Sequence, residues 1–364
     1  MEKCINPSRL KLARTRRQLT IKALAEAVGL TPRMVSEYEK DRCTVQPPEK
    51  TIESFARALN YPAEFLFLED NIDEVDASSV SFRSLKSMKA SQQHSAIGAG
   101  CLGVMLNNYF ENKFNLFDSD LPDFSGYEPE LAASIIRTEW KLGTKSISNV
   151  IAILESHGVR VFTLDEQTLS VDAFSFWKDG VPYIFLNNKK SGERSRFDAA
   201  HELGHLLLHK NEVPQGKDIE KEADSFASFF LMPKSTLLVY SGRFISIGDI
   251  IRLKQNWKVS AMALIFHMKT VGVISEWQYR SLIIEASKLG LRTREIEGIP
   301  REQSKLIPQL ITSLKNRGFG IHHIAKELNL PLDEITNLLF MIGIISGNGV
   351  ENSIRTPPKL SLVN

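Results

Sequence analysis

The apolar residues of the first seventy positions recur at the three- and four-residue spacing of amphipathic helices. One such helix starts after Thr20, a favourable N-cap residue, and stops near Gly29, whose backbone permits a tight turn. The next helix starts after Thr31 and has Pro32 in its first turn, where a missing N–H group costs nothing. With one helix before this pair and two after it, the pattern predicts a bundle of five short helices.

Farther along the chain, a polar stretch and one long helix precede two amphipathic helices, EPELAASIIRTEWKL and SISNVIAILESHG. Three runs typical of β-strands follow: VRVFTL, DAFSFW and, after a turn at Asp179 and Gly180, VPYIFLN. Two further helices come directly after these runs, and Ser195 is the predicted N-cap of the first. The C-terminal third is again helical. We therefore predict a mainly α fold with one small β-sheet, in the α+β class.

The composition is that of a globular protein, with 43% hydrophobic and 24% charged residues. The N-terminus lacks an apolar signal core, and the longest apolar runs are too short to cross a bilayer. We therefore expect a cytoplasmic protein with no membrane partner. The net charge is only +2, but residues 1–50 contain eleven Lys and Arg against six Asp and Glu. This basic N-terminal segment favours nucleic acid as a partner.

The stretch LAEAVGLTPRMVSEYEKD combines the signals for a helix, a turn, an N-cap and a set of buried positions. It resembles the lambda-repressor type of helix-turn-helix, the XRE family, over about the first seventy residues. The resemblance implies a double-stranded DNA operator as partner, with the second helix of the pair in a major groove. Arg33, Ser36 and Glu37 then face the bases, and Arg33 suits a bidentate contact with guanine. The alternative is a helical bundle whose basic face holds a protein.

The cations of this N-terminal segment are expected to contact the DNA phosphates. They are Arg9, Arg14, Arg16, Arg17, Lys22, Lys40 and Arg42. The chain is expected to bind its operator as a monomer or as a homodimer.

The helix RSRFDAAHELGHLLLH carries three of the eight histidines of the chain. Residues four positions apart share a helix face and lie about 6 Å apart along the axis, so His201 and His205 can reach one metal ion. His209 lies about 12 Å from His201 and is left for packing or a local hydrogen bond, because a Zn–N bond measures only about 2.1 Å. Glu202 can hold a water molecule and take its proton, as in the H-E-x-x-H arrangement of zinc peptidases. The apolar surroundings disfavour the alternative, a buried histidine pair without a metal.

A zinc site needs a third protein ligand, and the acid-rich helix DIEKEADSFASFFLMP offers one. Glu220 and Asp224 are four residues apart and share a face, whereas Glu222 is rotated by about 200° from Glu220. We therefore predict Glu220 as the ligand and Asp224 as the neighbour that orients a ligand histidine. Glu222 is interpreted as a solvent-facing acid, but it stays the alternative ligand if this helix phasing is wrong.

The segments FDAAHELGHLLLH, EKEADSFASFFLMP, LESHGVRVF and VDAFSFW together resemble the ImmA/IrrE family of zinc metallopeptidases. The resemblance extends over more than half of the chain. It implies these zinc-site residues: His201, His205 and Glu220 or Glu222 as ligands, with Glu202 as the catalytic glutamate. It also implies site-limited cleavage of a DNA-binding repressor in stress response or mobile-element control, and a common member carries an XRE head. Asp224 departs from the family pattern, because many relatives have Asn there.

These patterns indicate four segments: a helix-turn-helix domain at 1–70, a linker and helical connector at 71–127, a peptidase domain at 128–240, and a helical domain for sensing or partner binding at 241–364. Residues 319–345 again contain a helix, a Leu-Pro turn and a helix. That segment carries few cations, so packing is favoured over a second DNA-binding motif. The tail RTPPKLSLVN is expected to be mobile.

We therefore predict a DNA-binding transcription regulator that also contains a zinc-dependent endopeptidase. The expected substrate is a repressor protein or the chain itself, and self-cleavage would fall in the polar linker at 71–95. One alternative is a non-catalytic regulator whose peptidase-like domain is only a sensor or scaffold, and another is an antitoxin-like partner protein. The intact H-E-x-x-H motif favours the enzyme, although a latent enzyme would have the same sequence.

Overall fold

The computed structural model describes residues 4–40, 46–68, 72–76, 80–82, 89–164, 171–210 and 216–339. These ranges contain sixteen α-helices and one four-stranded sheet. The predicted α+β class is therefore confirmed. Arg42 and the predicted mobile tail lie outside the described residues.

The N-terminal bundle contains four α-helices and one 3-10 helix. They are α1 (Pro7–Arg16), α2 (Ile21–Val28), α3 (Pro32–Tyr38), α4 (Glu49–Leu59) and the 3-10 helix Ala63–Phe67. The hydroxyls of Thr20 and Thr31 accept hydrogen bonds from backbone N–H groups in the first turns of α2 and α3, so both predicted N-caps are confirmed. Gly29 ends α2 with a φ of 70°, in the left-handed region that glycine adopts without strain.

One long helix, α5 (Ala90–Glu111), joins this bundle to the rest of the molecule. Two of its glycines permit close packing against neighbouring side chains. A Cβ atom at Gly98 would lie 2.7 Å from Cδ of Arg16, and one at Gly103 would lie 2.5 Å from Cζ of Phe185. Both separations are too short for carbon atoms. Helix α5 therefore packs against α1 on one side and against the sheet on another.

The sheet has the strand order β1-β3-β4-β2. Its strands are β1 (Ser81–Phe82), β2 (Arg160–Leu164), β3 (Ala173–Lys178) and β4 (Val181–Asn187). The three predicted runs form β2, β3 and β4, whereas β1 was not predicted. Strands β3 and β4 form a hairpin whose turn residues, Asp179 and Gly180, both have positive φ, as a type I′ turn requires. Strand β2 is parallel to β4, and β1 is antiparallel to β3 at the sheet edge.

Four helices form a layer beside the sheet. They are α6 (Pro129–Glu139), α7 (Val150–Ser156), α8 (Gly192–Leu208) and α9 (Lys217–Leu231). Helices α7 and α8 contact the strands, and α6 and α9 pack against α8 and against each other. The N-cap of α8 is Ser191, whose side chain accepts a hydrogen bond from the N–H of Arg194. The prediction of Ser195 as the cap is wrong, because the helix begins one turn before its apolar pattern does.

Within the described residues of the C-terminal part, all regular secondary structure is helical. Its helices are α10 (Lys234–Leu237), the 3-10 helix Leu238–Tyr240, α11 (Ile247–Trp257), α12 (Ala261–Thr270), α13 (Glu276–Lys288), α14 (Leu306–Asn316), α15 (Ile321–Glu327) and α16 (Leu332–Leu338). Helices α10 to α13 share a hydrophobic core with α6 to α9. Helices α14 to α16 instead share a core with the N-terminal bundle and α5. Among the described helices, none combines the length and the hydropathy that crossing a membrane requires.

Candidate metal centre and nucleic-acid interface

Helices α8 and α9 bring His201, His205 and Glu220 together, with their ligand atoms all within 4.8 Å of one another. The Nε2 atoms of the two histidines lie 3.0 Å apart. Oε2 of Glu220 is 3.5 Å from Nε2 of His201, and Oε1 is 3.4 Å from Nε2 of His205. Both imidazoles are buried, but the Glu220 side chain is 31% exposed. The cluster is therefore accessible from the side of Glu220.

The hydrogen bonds of His205 define which of its nitrogens carries the proton. Burial lowers the pKa of His205 to about 4, so the ring is neutral at pH 7. Its Nδ1 lies 3.1 Å from Nδ1 of His209, and Nε2 of His209 lies 2.9 Å from Oε2 of Glu222. A carboxylate only accepts, so His209 donates from Nε2, and in this tautomer its Nδ1 can accept the proton of His205 Nδ1. Nε2 of His205 is left with a lone pair.

His201 also has a carboxylate partner at Nδ1. Its Nδ1 lies 2.9 Å from Oδ1 of Asp224, and the carboxylate accepts the proton. In its neutral form, with the proton on Nδ1, His201 therefore presents a lone pair at Nε2. Asp224 thus makes the contact that the sequence predicted for it, and its orienting role stays a prediction.

Three electron-pair donors consequently point toward one place. Two N or O ligands of a tetrahedral zinc ion, with bonds of about 2.05 Å, lie roughly 3.3 Å apart. The three separations in this cluster are 3.0, 3.4 and 3.5 Å. Two neutral imidazoles and one carboxylate also form a donor set of catalytic zinc sites. These residues therefore fit a zinc ion.

Glu202 is completely buried between α8 and the sheet. The hydroxyl of Ser175, in β3, donates a hydrogen bond of 2.6 Å to Oε2 of Glu202. This hydrogen bond fixes the carboxylate one residue after the first histidine of the cluster. The arrangement suits a general base that must hold one orientation.

Two features of this site were not predicted from the sequence. Ser175 was not singled out, although a lone serine between Phe174 and Phe176 in an apolar strand is a usable signal. Glu222 was interpreted as solvent-facing. Its side chain is 51% exposed, but it also binds His209, so that interpretation was incomplete. His209 makes a local hydrogen bond of the kind that the sequence predicted.

The predicted base-reading surface is formed by α3. Arg33 and Glu37 are exposed there and Ser36 is half-buried, while Lys40 follows the helix and Lys22 is exposed in the first turn of α2. Nζ of Lys40 donates to Oε1 of Glu37 at 2.6 Å, and this hydrogen bond lowers the pKa of Glu37. These five side chains are placed where DNA can reach them, and their contacts with DNA stay predictions.

Arg17, the sixth predicted DNA-binding residue, contacts the C-terminal part of the chain. Its Nη1 forms an ion pair of 3.0 Å with Oδ2 of Asp333. Its Nε donates to the carbonyl oxygen of Leu59 at 2.8 Å, and its guanidinium lies 5.1 Å from the centre of the Tyr61 ring. A phosphate contact by Arg17 would require this ion pair to open.

Two further cations were expected at the phosphates, and for both the prediction is wrong. Arg9 and Arg16 are buried, with exposures of 1% and 2%. Arg16 pairs with Glu334, and the neighbouring Arg14 forms two hydrogen bonds with the carboxylate of Glu39. Helix α1 is a core element, so several of its long side chains pack inward. A count of cations along the sequence does not show this.

The fold and site define a helix-turn-helix head joined to a metallopeptidase-like body. Comparison with family models agrees: residues 10–66 match the family described as Helix-turn-helix, and residues 154–269 match the peptidase family described as IrrE N-terminal-like domain. No curated protein gives a significant match to the chain. The two matches support the fusion of an XRE-type helix-turn-helix with an ImmA/IrrE-like domain that the sequence resemblance implied.

Proposed function

We propose that this DNA-binding regulator is also a zinc-dependent endopeptidase, which cleaves a repressor-type protein or itself and thereby switches gene expression. The observation that carries the proposal is the convergence of three electron-pair donors beside a buried glutamate. His201, His205 and Glu220 would hold the zinc ion and leave one coordination position open. A bound zinc ion supplies a Lewis acid for the scissile carbonyl and lowers the pKa of water.

The proton transfers in this proposal belong to Glu202. Its carboxylate takes a proton from the attacking water and later delivers that proton to the leaving amine. Ser175 holds Oε2, which keeps the carboxylate in one rotamer during both transfers. The side chains of Asp224 and His209 keep the two ligand imidazoles in the tautomers that face the cluster.

The edge of the sheet next to Glu202 is covered by the chain's own residues 80–82. Strand β1 pairs antiparallel with β3, and Ser81 lies directly opposite Ser175. Directly opposed residues project from the same face of a sheet, so Ser81 lies on the face where Ser175 meets Glu202. Extended substrates commonly bind by adding a strand to a sheet edge. This contact supports the linker as a substrate for self-cleavage.

The same contact also favours a second candidate function, a latent domain that acts as a scaffold. While β1 occupies the edge of β3, another polypeptide cannot pair with that edge. A regulator could use the domain in this form without hydrolysis. In an active enzyme residues 80–82 must leave the edge of β3, whereas in a permanent scaffold they stay paired with it.

The direct test incubates the purified full-length chain with zinc and with repressors encoded beside its gene. The wild type should produce discrete fragments, and the Glu202→Gln variant should not, because it lacks the base. Mass spectrometry of the chain itself should locate any self-cleavage within 71–95. Equal product from wild type and variant would refute the mechanism.

The DNA-binding half of the proposal has its own test. A footprint on operator DNA should weaken when Arg33 is changed to Ala, because a base contact is lost. An unchanged footprint would show that α3 does not read the groove as proposed. Light scattering of the complex would reveal whether the chain binds as a homodimer, the state that matches a palindromic operator.

A further inference from the structure

A cleft of about 890 Å³ lies beside the candidate metal centre, between the N-terminal part of α8, helices α9, α12 and α13, and residues 291–301. Its size is within the range of ligand-binding pockets. None of the predicted zinc ligands lines it, so the site described above does not account for it. All the residues around it belong to the described part of the chain.

The cleft is continuous with the metal centre along α9. Asp224 and Ser228 both line it, and Asp224 also holds the ring of His201. Glu220, Asp224 and Ser228 follow one another at four-residue intervals on one helix face, so Ser228 lies about 12 Å from Glu220. An extended peptide rises about 3.3 Å per residue, so roughly four residues of a bound chain would span this distance.

One wall of the cleft is apolar. Phe266, on α12, is 54% exposed, which is unusual for a phenylalanine that lies within a concave surface. Met262, Tyr279 and Ile283 extend the same wall and are only partly buried. This wall would gain free energy by covering one large apolar side chain of a bound peptide.

The rim of the cleft is cationic. Arg292, Arg294 and Arg301 line it, and within the described residues none of the three pairs with a carboxylate. Four acids also line the cleft, namely Glu193, Asp198, Asp224 and Glu295, but its six cations outnumber them: Lys189, Lys190, Arg194, Arg292, Arg294 and Arg301. The buried Lys254, 3.8 Å from Glu193 and 3.0 Å from Glu295, offsets part of the charge of those two acids. The rim consequently attracts anionic groups.

We propose that this cleft selects peptide segments in which a large apolar side chain is flanked by acidic residues, and that it presents them to the metal centre. The apolar wall takes the side chain, and the three arginines take the carboxylates. This inference rests on the proposed peptidase function, because a peptide is the ligand that such a metal centre acts on. A nucleic acid is the competing anionic ligand.

Binding can be measured without hydrolysis in the full-length Glu202→Gln protein with zinc. The probes are fluorescein-labelled decapeptides with one central Phe flanked on both sides by Glu, Gln or Lys. We expect the Glu peptide to bind about tenfold tighter than the Gln peptide, since each exposed charge pair contributes modestly. The Lys peptide should bind weakest. The preference for Glu should decrease as ionic strength rises.

The double variant Arg292→Glu/Arg294→Glu should abolish or reverse the preference for the Glu peptide over the Gln and Lys peptides. Its matched control is Arg252→Glu/Arg280→Glu, which makes the same change in net charge at two side chains that are 75% exposed and outside the lining. Arg294→Gln serves as a milder variant if the double variant does not fold. Equal binding of all peptides, or the same loss in the control, would overturn the proposal.

Hydrolysis of the same peptides by the wild type separates this inference from the peptidase function. Binding with a Glu preference but without hydrolysis contradicts the peptidase and leaves the selectivity of the cleft standing. Hydrolysis that is equal for Glu and Lys peptides contradicts the proposed selectivity of the cleft but not the peptidase function. An eight-nucleotide single strand could instead bind more tightly than the Glu peptide and lose this affinity in Arg292→Glu/Arg294→Glu. That result would overturn the peptide proposal and identify a nucleic acid as the ligand of the cleft.

Discussion

Arg16 at the end of α1 and Glu334 in α16 form a buried ion pair across 318 positions of sequence. Nη2 of Arg16 lies 2.6 Å from Oε2 of Glu334, and the hydroxyl of Tyr61 donates to Oε1 at 2.8 Å. Burial by itself would raise the pKa of Glu334, but Arg16 and Arg17 outweigh it and hold this pKa below its ordinary value. The DNA-binding bundle is therefore held to the C-terminal helices by a network of buried charges.

Removal of one partner of this pair should destabilise the chain strongly. Arg16→Met leaves the Glu334 carboxylate buried without its principal cation, and such a change costs about 3–5 kcal/mol. The double variant Arg16→Met/Glu334→Leu should recover most of that loss, because it removes both charges. Urea unfolding followed by circular dichroism measures the free energy of unfolding.

Arg57→Met is the control for this experiment, because Arg57 is exposed on α4. It should change the free energy of unfolding by less than about 0.5 kcal/mol. A loss below about 1 kcal/mol for Arg16→Met would mean that the ion pair does not hold the two parts together.

The hydrogen-bond chain from Glu222 through His209 to His205 should tune zinc affinity. His209→Ala removes the acceptor of the Nδ1 proton of His205, and loss of such an outer partner typically weakens metal affinity about 10–100-fold. Competition with a chromophoric chelator gives the dissociation constant. Asp218→Ala is the control, because Asp218 lies on α9, as Glu222 does, and its side chain is 87% exposed. Unchanged zinc affinity in His209→Ala would refute this role.

Features that depend on local sequence could be predicted. The caps at Thr20 and Thr31 follow from neighbouring backbone groups, and the four-residue spacing of His201 and His205 alone places both rings on one face. Helix phasing also favoured Glu220 over Glu222, and Glu220 has its oxygens within 3.5 Å of both rings. The ligand roles themselves stay predictions.

Features that depend on distant contacts could not be predicted. Strand β1 is two residues long, and only the edge of β3 defines it. The pairing of Arg16 with Glu334 requires the whole fold, and the pattern of charges along α1 suggested phosphates instead. The N-cap of α8 is a local feature, but it was predicted one turn late because apolar periodicity begins inside the helix, after its polar first turn.

Ser175 should act as a positioning residue for Glu202. Ser175→Ala removes a hydrogen bond of 2.6 Å, and kcat should fall about tenfold while KM changes little. Ser175→Thr keeps the hydroxyl on a strand position that suits a β-branched residue, so it should restore most of kcat. Both variants should bind zinc like the wild type. Equal kcat in Ser175→Ala and the wild type would remove Ser175 from the mechanism.

His267 should make the stability of the chain depend on pH. Burial lowers the pKa of this imidazole to about 4, and its Nε2 donates to the carbonyl oxygen of Met232 at 2.9 Å. In the unfolded chain the pKa is about 6.5, so between pH 6.5 and 4 the unfolded state binds a proton that the folded state does not. The contribution of neutral His267 to the free energy of unfolding is therefore fully present above pH 6.5. This contribution decreases by about 3 kcal/mol as the pH falls to 4.

The variant His267→Gln isolates this effect, because its amide can still donate to Met232 but does not titrate. The difference in the free energy of unfolding between wild type and variant should shift by about 3 kcal/mol between pH 7 and pH 4, in favour of the variant. Thermal or urea unfolding at each pH measures it. A difference that is independent of pH would show that His267 does not titrate abnormally.

Asp333 should control whether Arg17 is available to DNA. The ion pair with Asp333 holds the guanidinium of Arg17, which was predicted from the sequence to contact the DNA phosphates. Asp333→Ala weakens that hold, so the affinity for a random-sequence duplex should rise. The plot of log affinity against log salt should steepen by about 0.9, the contribution of one neutralised phosphate. Fluorescence anisotropy at several KCl concentrations measures both quantities.

The added substitution Arg17→Ala should cancel this gain, because no guanidinium is then released. Lys22→Ala should make the salt slope shallower by about one in either background, since Lys22 is 78% exposed and makes only a long contact of 3.9 Å with Glu26. If Asp333→Ala leaves the salt slope unchanged, Arg17 serves only to join the bundle to α16. If the slope steepens, the C-terminal helices limit how much of the DNA-binding surface is exposed, and partner binding at that end of the chain would alter DNA affinity.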